Sequence, residues 1–331
     1  MRLFGRKTSD EAANRVFLGA FGKHPGWDDH IEDLGLETEQ LIRIKRLLYV
    51  EGISGNVDSG AWDKLSEVQR LEGFNHLFLW RMASDVVVGR MWSSMDGKGR
   101  THYPMVVCAQ CSGLPLRWVL KQVLPCLEGI KSRCVNTTSA VAVRSIIGDA
   151  RRGLRQIGQH IEASTEDLGV SGGTLAVLAD HPEMGKDHVG LLRILYKIEL
   201  GMSADSASGG DPAARVVPGS LHIRVPASAD SSGDTILLWL SFLFGELDRS
   251  NSMILLLPLD GSWVDIVAGE PTIKELFCIR ASLEAIPRTS EIPYTLDPDF
   301  MDRVEQRIAA SQAQGKETSS ATSDSPVRRT W

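Results

Sequence analysis

Cysteine is scarce in this 331-residue chain, and the five thiols, at 108, 111, 126, 134 and 278, are odd in number. That argues against a disulfide framework and makes free thiols in a reducing compartment the expectation. A long apolar run is missing as well. The longest, Ile236 to Phe244, is interrupted by Ser241 and reaches about half of the roughly 20 residues that a membrane-spanning helix needs. No membrane insertion is expected, and a buried helix accounts for the run. The opening MRLFGRKTSDEAANR has no apolar stretch long enough for a signal-peptide core, so a cytoplasmic location is expected.

Positive charge is not in excess either. The 36 Lys and Arg stand against 42 Asp and Glu, a formal charge of −6 without a long block of either sign. A nucleic-acid partner is not expected, because neutralising phosphates demands a basic stripe. The nearest thing to one, Arg151, Arg152 and Arg155 on a predicted helix with Asp149 and Glu162 nearby, reads as a solvated face. The motifs of nucleotide and hydrolase chemistry are absent too. GKG at residues 97–99 lacks the Walker A spacing, no GxGxxG opens a helix, and neither GxSxG nor HExxH occurs. No cofactor and no catalytic activity are expected on these grounds.

Apolar side chains, by contrast, make up 43% of the residues, enough for a sizeable core. At about 100 to 200 residues per domain the length suits one large or two medium domains. Val16 to Phe21 predicts a first strand that runs into the turn-rich loop GKHPGWDDH. The spacing of Leu41, Ile44, Leu47 and Leu48 predicts a helix over Glu37 to Val50, and Trp62, Leu65 and Val68 suggest a short one over Ala61 to Arg70. Strands at His76 to Met82, Val86 to Ser93 and His102 to Ala109 form an antiparallel meander, with Asp96-Gly97 in the second turn. Two helices follow, over Leu116 to Leu127 with Pro125 kinking or ending it, and over Val143 to Ile161.

The second half predicts a strand at Thr174 to Leu178, a helix at Val189 to Leu200 and a mobile loop from Met202 to Pro218. A strand at Leu221 to Val225, a helix at Thr235 to Leu247, a hairpin of Met253 to Leu257 with Trp263 to Val267, and a helix at Pro271 to Arg280 complete it. The fold class is therefore α/β of the α+β kind, with a mainly antiparallel sheet flanked by helices. Residues 1–15 read as a polar leader, 16–165 as one domain, and 166–305 as a second α+β domain or an extension of the first. Residues 306–331, almost free of large apolar side chains from Ser311 to Thr330, are expected to stay disordered, with Trp331 as the exception.

Chemistry-bearing residues gather in two places. His24, Asp28, Asp29 and His30, with His102 as a further candidate, are ligand types for a divalent metal. The same loop also reads as a turn with a helix cap, as a partner contact, or as an anion site through Lys23. Asp96, Lys98, Arg100 and His102 crowd the second turn, where an Asp96–Arg100 ion pair is expected. If Asp29 and Arg100 lie close, the two loops build one polar surface. Trp27, between Gly26 and Asp28, suits either an interface anchor or a cover for the core. Cys108-x-x-Cys111 lacks the second pair that a zinc finger needs, and strand geometry puts the two thiols on opposite faces.

GAFGKHPGWDDHI at Gly19 to Ile31 and GRMWSSMDGKGRTHYPMVV at Gly89 to Val107 together resemble the TagF family of type VI secretion accessory proteins. The matching positions are Gly22, Lys23, Pro25, Asp29, Ser94, Asp96, Gly99, Arg100, Tyr103 and Pro104. The resemblance covers the first 110 to 150 positions, and Trp27-Asp28-Asp29-His30 departs from the family's usual loop. It implies a longin- or SNARE-like α/β/α domain in a bacterial post-translational regulator that acts through a forkhead-associated scaffold protein. The expected partner-binding residues are Lys23, Trp27, Asp28, Asp29, Asp96 and Arg100. The alternatives are a metal-dependent hydrolase using the His24/Asp28/Asp29/His30 cluster and a longin-like scaffold for a small GTPase.

Overall fold

Strands whose successive side chains are apolar on both sides need cover on both faces, and that requirement shapes this molecule. The computed structural model describes residues 15–82, 85–159, 161, 174–203, 219–227 and 232–323, with side chains of the last helix as far as residue 313. Its first half runs β1 (Val16–Gly22), α1 (Glu39–Ile44), α2 (Gly55–Asp58), β2 (Asn75–Met82), β3 (Asp85–Ser93), β4 (Pro104–Ser112), α3 (Leu116–Trp118), α4 (Leu124–Val135) and α5 (Ala140–Gln159). The second half runs α6 (Thr174–Ala179), α7 (Val189–Ser203), β5 (Ser220–Pro226), α8 (Ser232–Glu246), β6 (Met253–Pro258), β7 (Trp263–Gly269), α9 (Ile273–Leu276) and α10 (Pro298–Ser323). One antiparallel sheet takes in every strand, in the order β1-β4-β3-β2-β6-β7-β5. The class is α+β, as the hairpin signals predicted. Because β6 pairs with β2, with Leu77 opposite Leu257, the second half continues the sheet of the first.

The two faces carry separate cores. On one, Leu18, Leu79, Val107, Leu255 and Ile266 pack under helices α4, α5, α7, α8 and α10. On the other, Phe21, Phe78, Trp80, Val106 and Ile254 meet Leu41, Ile44, Leu48 and Ile53 from α1 and its π-helical continuation, Lys45–Ser54. Period-two alternation divides even the two neighbouring thiols: Cys108 belongs to the second core and Cys111 to the first. Burial pushes both up to about 12, which makes them inert packing groups.

Further segments touch both sheet edges. Ala20 of β1 exchanges backbone hydrogen bonds with Leu34, 2.8 and 3.1 Å long, so the segment after the first loop lies along that edge. At the other edge the Arg224 amide donates to Thr289 Oγ1. One segment departs from expectation. Thr174 to Leu178, expected as a strand, forms α6, with Leu178 and Ala179 buried in the first core.

Three further expectations are corrected. Of Ala61 to Arg70 only a 3-10 turn at Trp62–Lys64 is helical, held by Trp62 Nε1 donating to the Phe277 carbonyl, and Arg70 then bridges to Ala281. Pro125 does not end its helix: the chain stays helical from Leu116 to Val135, passing through a π-helical stretch, Val119–Val123, just before the proline. The stretch from residue 306, expected to be disordered, continues α10 to Ser323, because Phe300, Val304 and Ile308 recur at helical spacing and bury against the first core. Ser311 extends that face by accepting from the Ala176 amide. The leader before Arg15, the loop at 204–218 and residues 324–331, with Trp331, lie outside the described residues. No helix among the described residues is long and apolar enough to cross a membrane.

Candidate functional site

The two loops singled out in the sequence meet at one end of the sheet because β1 and β4 are neighbours. β1 ends at Gly22, opposite Met105, and the turn at Asp96 to Arg100 precedes the start of β4. Gly22 adopts φ 110° with its α-carbon against the Pro104 carbonyl, where a Cβ would sit 2.2 Å from that oxygen. Only glycine fits there. The chain then turns so that Lys23 donates its amide to Pro104 O, and Lys23 and His30 form an isolated antiparallel bridge that closes the loop.

The Lys23 ammonium, at the centre, donates to Asp29 Oδ1 at 2.7 Å and to Asp96 Oδ2 at 2.6 Å. Asp96 also receives Arg100 Nε at 2.7 Å and the amides of Lys98 and Arg100, both at 3.0 Å. The guanidinium of Arg100 reaches back to the first loop, to Asp28 O at 2.9 Å and Asp29 Oδ1 at 3.2 Å. Gly97 donates its amide to Trp27 O at 2.6 Å, a backbone tie between the loops. The positive φ of the turn falls at Gly99, 78°.

Lys23 and Asp96, expected on the binding face, are only 2% and 1% exposed, so they form the frame beneath it. A buried charge is tolerated when paired and hydrogen-bonded, and each compensates the other here. Burial pushes the Asp96 carboxyl up, but the bonds from Lys23, Arg100 and Lys98 outweigh it and hold it well below the usual carboxylate range. The Lys23 hydrogen bond likewise lowers Asp29, whose side chain is 67% exposed. Since these carboxyls are depressed, the lock is in place above the ordinary aspartate range and opens only as pH falls through the depressed values.

The histidines separate. His24 is buried, with Nδ1 accepting from the Gly26 amide and Nε2 donating to the Cys134 carbonyl, 3.1 Å away. Burial holds it neutral, below its ordinary value. His30 sits edge-on to Tyr49 and Tyr103, with Nδ1 3.1 Å from Asp29. His102 lies elsewhere, on a cleft of about 700 Å³ that also takes in Trp62, Arg70, Phe74 and Arg280 but none of His24, Asp28, Asp29 or His30. Among the described residues the His24 to His30 loop gathers no set of three metal ligands. The Lys23 ammonium stands between Asp29 and Asp96.

Trp27 is half-buried against the first core, covered by the Arg144 guanidinium at 5.2 Å and hydrogen-bonded to Glu32, which Arg144 also pairs. The sequence contains no local sign of that contact, because Glu32 and Arg144 are joined only by the fold. Nor did it mark Tyr49 and the Cys134 carbonyl. The basic row of α5 is neutralised in the same way: Arg151 and Arg155 both pair with Glu37, and Arg152 with Asp149. Arg151 and Arg155, read as a solvated face, instead pin the segment that covers β1.

Replacing Lys23 by methionine should release the clamp while keeping the side-chain volume. Amide exchange at Gly97, Lys98 and Arg100 is expected to accelerate on the order of tenfold or more, read by hydrogen-exchange mass spectrometry, while β2 and β6 stay protected. Unchanged exchange at the three amides would show that Lys23 does not hold the loops together. The arrangement thus offers a rigid, charged rim made of exposed Asp28, Asp29 and Arg100 around a half-buried tryptophan. Comparison with protein-family models and with curated proteins finds no match to this chain.

Proposed function

We propose that the protein is a non-enzymatic accessory protein that binds another protein through the rim built by Trp27, Asp28, Asp29 and Arg100. The observation that carries this reading is the buried Lys23 clamp, which joins two loops far apart in sequence into one fixed surface. A binding face gains affinity when its charged groups are held in place before the partner arrives. Asp29 and Arg100 are held in that way, and the half-buried Trp27 is the aromatic type that dominates interfaces.

The resemblance to the TagF family supplies the class of partner. On that reading the chain is a longin-like cytoplasmic regulator of a type VI secretion system, and its partner is a forkhead-associated scaffold protein. Titration calorimetry of the full chain against the forkhead-associated protein of the same secretion system tests it. Asp29→Ala, Arg100→Ala and Trp27→Ala are each expected to weaken binding about tenfold or more. Thermal melts check that each variant is folded. Absence of binding by the parent, or parental affinity in all three variants, would refute the proposal.

A further inference from the structure

Far along the sheet from that rim, three elements bring together a second set of side chains. His222 of β5, Asp265 of β7 and Cys278 just after α9 each place one donor atom within 4.8 Å of the others. We propose that these three residues form a binding site for one zinc ion, with its fourth position open to water on the half-buried side of His222. Imidazole, carboxylate and thiolate together suit zinc, whereas magnesium and calcium call for oxygen donors alone. With zinc–ligand bonds of about 2.0 to 2.3 Å, tetrahedral donors stand roughly 3.2 to 3.7 Å apart. Closing the set needs about an ångström of side-chain movement, within the reach of torsional adjustment in His222 and Cys278.

The surroundings are those of a prepared ligand. Asp265 Oδ1 receives Arg224 Nε at 2.8 Å, and Oδ2 receives Arg224 Nη2 at 2.9 Å and Trp263 Nε1 at 3.0 Å. Arg224 Nη1 is held at 2.8 Å by the carbonyls of Ser282 and Ile286, so the guanidinium cannot swing into the ion's place. Outer hydrogen bonds of this kind fix the orientation of a ligating carboxylate. His222 Nε2 now lies 2.7 Å from Asp265 Oδ1, and the ion would enter between them in place of that hydrogen bond.

Protons balance in a defined way. Zinc is held by cysteine as the thiolate, so the Cys278 side chain gives up its proton on binding. Binding replaces the S–H bond by a zinc–sulfur bond and releases one proton to solvent. Ligation through His222 Nε2 moves the ring proton, which the hydrogen bond to Asp265 places on Nε2, to Nδ1. Affinity therefore rises with pH, about tenfold per unit for one released proton.

The test uses the full chain, stripped with a chelator and titrated with Zn²⁺ and with Co²⁺. One equivalent is expected to bind, with release of one proton and, for Co²⁺, a thiolate charge-transfer band in the near ultraviolet. Cys278→Ala should abolish the band, and His222→Gln, which leaves the Arg224–Asp265 pair intact, should weaken binding at least about tenfold. Cys126→Ala, which alters a half-buried thiol elsewhere, should change neither. Absence of stoichiometric binding, or a band and affinity that survive in folded His222→Gln, would overturn the proposal even if Cys278→Ala failed to fold.

Discussion

Arg224→Met is expected to destabilise the protein by about 3–5 kcal/mol, because it removes one partner of a buried ion pair and leaves the other charge uncompensated. Arg224 is fully buried between β5 and the segment beyond α9. Besides its two bonds to Asp265 it donates to the carbonyls of Cys278, Ala281, Ser282 and Ile286. Methionine fills part of the volume and satisfies none of these acceptors. Urea unfolding of chelator-treated protein measures the loss, and a variant within about 1 kcal/mol of the parent would contradict it.

The loss depends on pH. Burial raises the Asp265 carboxyl, but Arg224 and His222 outweigh it and set it below its ordinary value. Its contribution is present above the unfolded-state value and disappears as pH falls through the depressed folded-state one. Parent and variant should therefore differ fully near neutrality and converge only in acid. Replacing both residues, as Arg224→Met with Asp265→Leu, should recover part of the deficit, since a well-packed apolar pair lacks the uncompensated charge.

Acid should also act through His76, with an expected loss of about 3 kcal/mol as pH falls from 6.5 to about 4. The ring is buried in β2, and its Nδ1 accepts from the Asn75 amide. Burial lowers it to about 4, with Arg90 and Arg280 adding to the effect and Asp265 and Asp260 opposing it. The unfolded chain takes up the proton near 6.5 while the folded chain does not, so unfolding is favoured as pH drops through that window. His76→Phe removes the titrating group and should flatten the profile there, although it loses the acceptor for Asn75. Equal slopes in parent and variant, from urea midpoints across the window, would exclude His76 as the cause.

Much of the sheet was legible because HLFLWRM and VVVGRMWS are too short and too β-branched or aromatic for helices, and Asp96 to Gly99 supplies turn chemistry between β3 and β4. The pairing of Asp29 with Arg100 was legible only as an expectation, since nothing local shows that β1 and β4 are neighbours. Lys23 illustrates the limit. Lysine is almost never buried without a partner, and its partner Asp96 lies in another motif, so the residue read as surface. Thr174 to Leu178 failed for a different reason: a short apolar run suits strand or helix equally. In α10 the apolar spacing of Phe300, Val304 and Ile308 was hidden by the polar composition around it. His222, Asp265 and Cys278 share no spacing motif at all, because the pairing of β5 with β7 and the turn after α9 bring them together.

The pairing of β2 with β6 has a consequence for how the molecule is made. A chain emerging from the ribosome N-terminus first completes β1 to β4 early, yet β2 stays without its second neighbour until Leu257 and the rest of β6 have been synthesised. Until then a hydrophobic strand that ends in the middle of the sheet is a bare edge, open to pairing with another nascent chain. Cutting the gene between the halves would make that transient exposure permanent. The first 165 residues are thus a poor unit for expression, however well their motifs mark them off.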